Sequence, residues 1–237
     1  MSKISDRLDK IHDSIKATCD RIGRDSSELK LIVVGKSACF EAIKEVIDLG
    51  YSDLGENHVQ QLKKVYGQVK DTYANQNDEN TPAIHWHMIG HLQRNKVKQV
   101  LPLVSLIHSV DTLRLAEEIS EQAGKLNTVA KILLQINTSN EPQKYGVPVG
   151  AATHLAEQLE TLPHIEFKGL MTMAPLTRNK DIVRACFSRA RELFVEMCGE
   201  KIVGPQFTEL SMGMSSDYEI GIEEGATLLR IGSAIFA

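Results

Sequence analysis

Along the chain, short runs of consecutive apolar positions alternate with longer stretches in which apolar residues recur every three or four positions. The first kind reads as strand: residues 30–35 (KLIVVG), 51–54 (YSDL), 84–89 (IHWHMI), 105–110 (SLIHSV), 130–136 (AKILLQI), 166–172 (EFKGLMT), 208–212 (TELSM) and 227–231 (TLLRI). The second kind reads as amphipathic helix, as in Ala42, Val46 and Leu49 or Leu113, Ala116 and Ile119. Strands that are apolar on both faces and separated by helices indicate a parallel sheet covered on each side. Eight such units predict a single α/β domain over residues 1–237, a (β/α)8 TIM barrel preceded by one extra N-terminal helix in MSKISDRLDKIHDSIK. A doubly wound open sheet is the alternative topology. The polar segment 71–83 (DTYANQNDENTPA) reads as a surface loop or small insertion. No internal repeat, Gly/Ser linker or shift of composition marks a second domain.

Composition narrows the class. A formal charge of −4, from 27 basic and 31 acidic residues, argues against a broad nucleic-acid-binding surface. No apolar run approaches the roughly 18 residues that a membrane span requires, and the N-terminus has no signal-peptide core. The four cysteines, Cys19, Cys39, Cys186 and Cys198, form no CxxC pair, so reduced thiols in a cytoplasmic protein are expected rather than disulfides or zinc.

In a barrel, the residues that follow each strand converge on one face. In order they are Gly35-Lys36-Ser37, Gly55-Glu56-Asn57, Gly90-His91-Leu92-Gln93, Asp111-Thr112, Asn137-Thr138, Met173-Ala174-Pro175, Gly213 to Asp217, and Gly232-Ser233. Lys36 ends the apolar run of the first strand. It is either a strand-terminal lysine reaching solvent or an amine at the barrel mouth able to attack a carbonyl, which burial or a nearby cation would favour. Segments 211–217 (SMGMSSD) and 230–233 (RIGS) supply glycines, hydroxyls and a helix start on adjacent strands, which suits a phosphate, although a turn and cap would look the same. Arg230 interrupts an apolar strand, either salt-bridged to a neighbouring carboxylate or facing the same cavity as Lys36. His85 and His87 share one strand face, a metal-ligand spacing, but strands five to eight offer no histidine to complete a metal site. An aldehyde-binding lysine, a phosphate cup and a cation between them match pyridoxal 5'-phosphate (PLP) in kind.

With those residues in place, the chain resembles the pyridoxal phosphate homeostasis protein family, which is related to the barrel domain of alanine racemase. The resemblance is carried by VVGKS (33–37), LGENHVQ (54–60), WHMIGHLQRNK (86–96), HSVD (108–111), LLQINTS (133–139), GLMTM (169–173), LSMGMSSDY (210–218) and RIGSAIF (230–236), in family order from residue 31 onward. It implies that Lys36 carries PLP as an aldimine and that Arg230 approaches the pyridine nitrogen. Ser211, Gly232 and Ser233 would surround the phosphate, and Asn57 and Met171 would lie near the cofactor. Gly35 stands where the family usually has Ser or another small residue, and Ser233 where it often has Thr; both are small, and Ser keeps the hydroxyl. An arginine has no proton to give the ring nitrogen, which weakens the ring as an electron sink. A non-catalytic binder in vitamin B6 homeostasis is therefore expected, with PLP as ligand, apo PLP-dependent enzymes as partners, a monomeric state and no catalytic or metal residues. The alternative is a PLP-dependent amino-acid racemase.

Overall fold

A computed structural model describes residues 2–36, 38–74, 83–139, 141 and 143–237. Eight parallel strands close into a barrel: β1 (Lys30–Val34), β2 (Asp53–Glu56), β3 (His85–Met88), β4 (Leu106–Val110), β5 (Ala130–Asn137), β7 (Ile165–Met171), β8 (Glu209–Met214) and β9 (Leu228–Ile231). Each strand pairs with its successor, and β9 returns to β1 with Lys30 opposite Leu228 and Val33 opposite Ile231. The β4–β5 pairing, Ile107 opposite Ile132, leaves no open edge in the ring and excludes the open doubly wound sheet.

The predicted strands all appear, with ends displaced by up to two residues. A further short strand, β6 (Val147–Pro148), pairs with the end of β5 at Ile136 and Asn137. Two residues give no periodicity, so the sequence pattern carried no sign of it.

The predicted N-terminal helix is α1 (Lys3–Ile22), opened by Ser2 accepting from the Ser5 amide and closed by left-handed Gly23. Its buried stripe, Leu8, Ile11, Ile15 and Cys19, packs it onto the outside of the barrel. The connecting helices are α2 (Phe40–Asp48), α3 (Val59–Ala74), α4 (Val97–Val100), α5 (Leu113–Lys125), α6 (Val149–Glu160), α7 (Lys180–Gly199) and α8 (Tyr218–Glu223), and α9 (Ser233–Phe236) follows the last strand.

One expectation needs correction. The segment read as a loop from residue 71 begins as the last turn of α3. Tyr73 extends the buried stripe Leu62, Val65 and Val69, and its hydroxyl donates to Asp48 Oδ1 at 2.6 Å. One burial contact at helical spacing outweighs the polarity of its neighbours. Residues 75–82 of that segment lie outside the described residues.

The strands alternate between two environments. Outward side chains such as Val33, Leu54, Trp86, Ile107 and Phe167 join the helices in a continuous apolar layer. Inward, a separate cluster of Ile32, Leu106, Leu133, Met171 and Leu228 fills part of the lumen. The remainder of the lumen is polar.

Candidate functional site

A cleft of about 470 Å³ opens at the C-terminal ends of the strands. It is lined by Val34 and Lys36 after β1, Asn57 after β2, Ile89, Gly90 and His91 after β3, and Gln135 and Tyr145 around β5. Met173, Leu176, Met214, Ser215, Ser216, Arg230, Gly232 and Ser233 complete the wall. A larger groove of about 540 Å³ lies away from these strand ends, against α1, α7 and the starts of β8 and β9.

Five sequence-predicted residues converge on the cleft: Lys36, Asn57, Arg230, Gly232 and Ser233. Lys36 is exposed at the mouth rather than buried. Asn57 is held by close approach of backbone to backbone: a Cβ on Gly90 would fall 2.1 Å from the Asn57 carbonyl oxygen. Only glycine allows the β2 and β3 loops to meet this closely.

Arg230 is buried, with Nη1 donating to Ser211 Oγ at 2.5 Å and Nη2 to the Thr172 carbonyl at 2.9 Å. No carboxylate forms a salt bridge with it among the described residues, so the structural ion pair weighed from sequence is not found. Burial pulls its pKa down to about 10, with the charge of Asp217 pushing back, so the guanidinium stays cationic at neutral pH.

Ser211 and Met171, the other two residues expected near the cofactor, are not among the residues lining the cleft. Both are fully buried and lie below the cleft rather than on its wall. Met171 belongs to the lumen's apolar cluster, and the Ser211 hydroxyl is occupied by Arg230 and by His108 Nδ1 at 2.9 Å. Both point inward, Met171 as the last residue of β7 and Ser211 from within β8.

Ser215, one of the strand-end residues read from sequence, does line the cleft. Left-handed Gly213 (φ 90°) turns the chain out of β8, and Asp217 Oδ1 accepts from the Met214 amide at 2.5 Å. Ser215 Oγ is thereby placed to accept from the amides of Gly232 and Ala234, at 3.3 and 3.2 Å, tying the loop after β8 to the one after β9. Of the three serines in the SMGMSS run, Ser215 and Ser216, which follow the turn at Gly213, line the cleft.

Gln135 and Tyr145 were missed as wall residues, whereas His91 stands among the strand-end residues read from sequence. Gln135 Nε2 donates to the Tyr145 carbonyl at 3.1 Å, and β6 pins the following residues to β5. The Tyr145 ring stacks on His91 at 4.1 Å between centroids, and His91 lies 3.7 Å from Asp111. Burial raises the Asp111 carboxyl above its usual range despite His91.

His85 and His87 do share a face, as the alternation predicts, and both look toward Asp53, at 3.7 and 2.9 Å. Among the described residues no group of three or more His, Cys, Asp or Glu is arranged to hold a metal ion.

The comparison with known proteins agrees with this architecture. The family model for the N-terminal domain of alanine racemase matches residues 12–237. A pyridoxal phosphate homeostasis protein of Aquifex aeolicus (strain VF5) is 39% identical over 231 residues, covering 98% of this chain and 96% of its own. Its namesake in Escherichia coli (strain K12) is 35% identical over 237 residues, covering 100% and 97%. The solved structure of PipY from Synechococcus elongatus PCC7942 with PLP bound superposes with a TM-score of 0.83 at 31% identity, over 99% of this chain and 100% of that one.

Proposed function

The chain belongs to the family of the alanine racemase N-terminal domain, and from that premise we propose that it binds PLP as a carrier in vitamin B6 homeostasis rather than as a catalyst. The observation that carries this reading is the convergence of Lys36, Arg230, Ser215 and Ser233 on one cleft. The donors fit the group. An amine suits an aldehyde, the hydroxyls and amides joining the loops after β8 and β9 suit a phosphate, and a buried cation suits an unprotonated ring nitrogen.

When bound, PLP supplies an aldehyde and an electron-drawing pyridine ring. Lys36 is the amine that condenses with that aldehyde, releasing water. Ser215 and Ser233 hold the phosphate through their hydroxyls, and Asn57 and Met173 bound the ring. Arg230 has no proton to release near pH 7, so it keeps the ring nitrogen unprotonated and the sink weak. This favours storage over carbanion chemistry.

On this reading the carrier is monomeric and its partners are apo PLP-dependent enzymes. No helix among the described residues is long and apolar enough to cross a membrane, and the four cysteines are free. A cytoplasmic setting, where thiols stay reduced, fits both.

The test is the visible spectrum of the purified protein with PLP before and after borohydride, with mass spectrometry locating the modified lysine. Reduction should label Lys36 and leave common amino acids untransformed in a turnover assay. A label on another lysine would overturn the assignment. Saturable turnover of one amino acid that Lys36→Ala abolishes would instead establish the racemase-type alternative.

A further inference from the structure

The lumen contains a line of polar groups that PLP binding does not by itself require. Asp53 begins β2, at the end of the barrel opposite the cleft, and its Oδ1 lies 2.9 Å from His87 Nε2. His87 Nδ1 lies 3.0 Å from His108 Nε2, and His108 Nδ1 lies 2.9 Å from Ser211 Oγ, which receives Arg230 Nη1 at 2.5 Å. His87, His108, Ser211 and Arg230 are all buried.

With both imidazoles neutral, the Asp53 end fixes the direction of every link. Arginine can only donate and an ionised aspartate can only accept. Arg230 therefore donates to Ser211, Ser211 gives its hydroxyl proton to His108 Nδ1, His108 Nε2–H donates to His87 Nδ1, and His87 Nε2–H donates to Asp53. Both histidines are then neutral Nε2–H tautomers. Reversing any inner link would set two donors or two acceptors face to face in a site without solvent. Burial draws both imidazoles below their usual pKa, more than Asp53 pushes His87 back, and the charge of Arg230 adds to the effect at His108. Burial raises Asp53, but the hydrogen bond from His87 and the charges of Lys30, His87 and His85 outweigh it, leaving that carboxyl below its ordinary range.

We infer that Asp53, His87, His108 and Ser211 form one polarised relay through the barrel that holds the Arg230 guanidinium at the floor of the cleft, making Asp53 a positioning residue for a site at the opposite mouth. Each member is fixed by the next: with Ser211 Oγ presenting a lone pair to Nη1 and the Thr172 carbonyl receiving Nη2, the guanidinium plane has two anchors. The Ser211 hydroxyl is committed on both sides, so it is not a donor for a phosphate. The consequence for PLP rests on the function proposed above; the relay itself does not.

The experiment starts on the wild-type protein without cofactor. Nitrogen-15 NMR should show His87 and His108 as neutral Nε2–H tautomers at neutral pH, and an Nδ1–H tautomer or an imidazolium at either would overturn the relay. Asp53→Leu should unlock the tautomers and speed exchange of the Arg230 guanidinium protons by about tenfold, the scale of one lost hydrogen bond. Asp53→Asn keeps an acceptor and should restore most of that protection. If Asp53→Leu fails to fold, His108→Phe breaks the same line one link nearer Arg230. Guanidinium exchange equal to wild type in a folded, broken-relay variant would reduce these residues to packing. PLP titration forms a separate arm: Asp53→Leu should weaken PLP roughly fivefold or more, on the scale of site-to-site coupling, and Asp53→Asn little. Unchanged PLP affinity in Asp53→Leu with faster guanidinium exchange would remove the positioning role alone, whereas a wild-type protein that does not bind PLP would remove the functional proposal and leave the relay to the NMR result.

Discussion

The two faces of the barrel wall bury polar groups in opposite ways. On the lumen side, Arg230, Ser211, His108, His87 and Asp53 follow one another at hydrogen-bonding distance. On the outer side, the carboxylate of Glu56 and the hydroxyl of Ser109 are buried without hydrogen-bond partners. Glu56 lies in a small apolar recess among Val33, Ile43, Val46, Leu54, Trp86 and Phe236. Burial pushes its pKa up to about 7, with the Asn57 amide opposing. The difference teaches that polarity alone does not mark a working residue within this fold. The lumen groups support one another and end at the cleft, whereas Glu56 is one residue from cleft-lining Asn57 and faces away from it. Stability should therefore reside mainly in the outer layer, and ligand recognition in the lumen and its mouth.

The largest expected effect breaks the outer layer. Phe187 is fully buried there, so Phe187→Ala should lower unfolding stability by about 3–5 kcal/mol in denaturant titrations. PLP affinity of the folded variant should stay near wild type. A small stability loss together with a large loss of affinity would reverse the assignment of roles.

Next comes the pH dependence of Glu56. Its folded pKa is raised, so its contribution is most favourable below the unfolded value and is lost as pH climbs toward about 7. A rise from about 4.5 to about 7 corresponds to roughly 3 kcal/mol lost across that window. Glu56→Gln should remove this component from a stability–pH curve measured by urea unfolding. A slope identical to wild type would show that the carboxylate is already ionised in its recess.

Arg230→Met sharpens the comparison from the lumen side. Replacing a buried cation by an apolar chain of similar length should change stability by no more than about 2 kcal/mol. PLP affinity should fall about tenfold or more, equivalent to roughly 1.4 kcal/mol, by fluorescence titration. Equal affinity with a large loss of stability would make Arg230 a structural residue.

The smallest effect is expected at the cleft's hydroxyls. Ser215→Ala and Ser233→Ala should each weaken PLP by about 1 kcal/mol, the net scale of one hydrogen bond. Both should leave unphosphorylated pyridoxal binding nearly unchanged, and Ser211→Ala should affect the two ligands alike. A selective loss of PLP binding in Ser211→Ala would restore the phosphate role expected for it from sequence.

The sequence by itself determined eight parallel strands and their positions, with Lys36, Asn57, Arg230, Gly232 and Ser233 at or near the strand ends, while the β4–β5 pairing decided the closed barrel over the open sheet. Strand positions and ends are local properties: a strand buried on both faces must be apolar at consecutive positions, and the chain must leave it where that run stops. Tertiary structure decided what depends on the direction of a side chain or on a distant partner. Alternation within β7 and β8 turned Met171 and Ser211 inward, and the turn at Gly213 brought Ser215 to the cleft wall. Tyr145 reached the wall through β6, which is too short to leave a periodic trace. The relay joins partners separated by 34, 21, 103 and 19 positions, and no local pattern relates them. They meet because closing the ring forces the inward residues of β2, β3, β4, β8 and β9 into one narrow lumen, where a buried polar atom must find its partner in another strand.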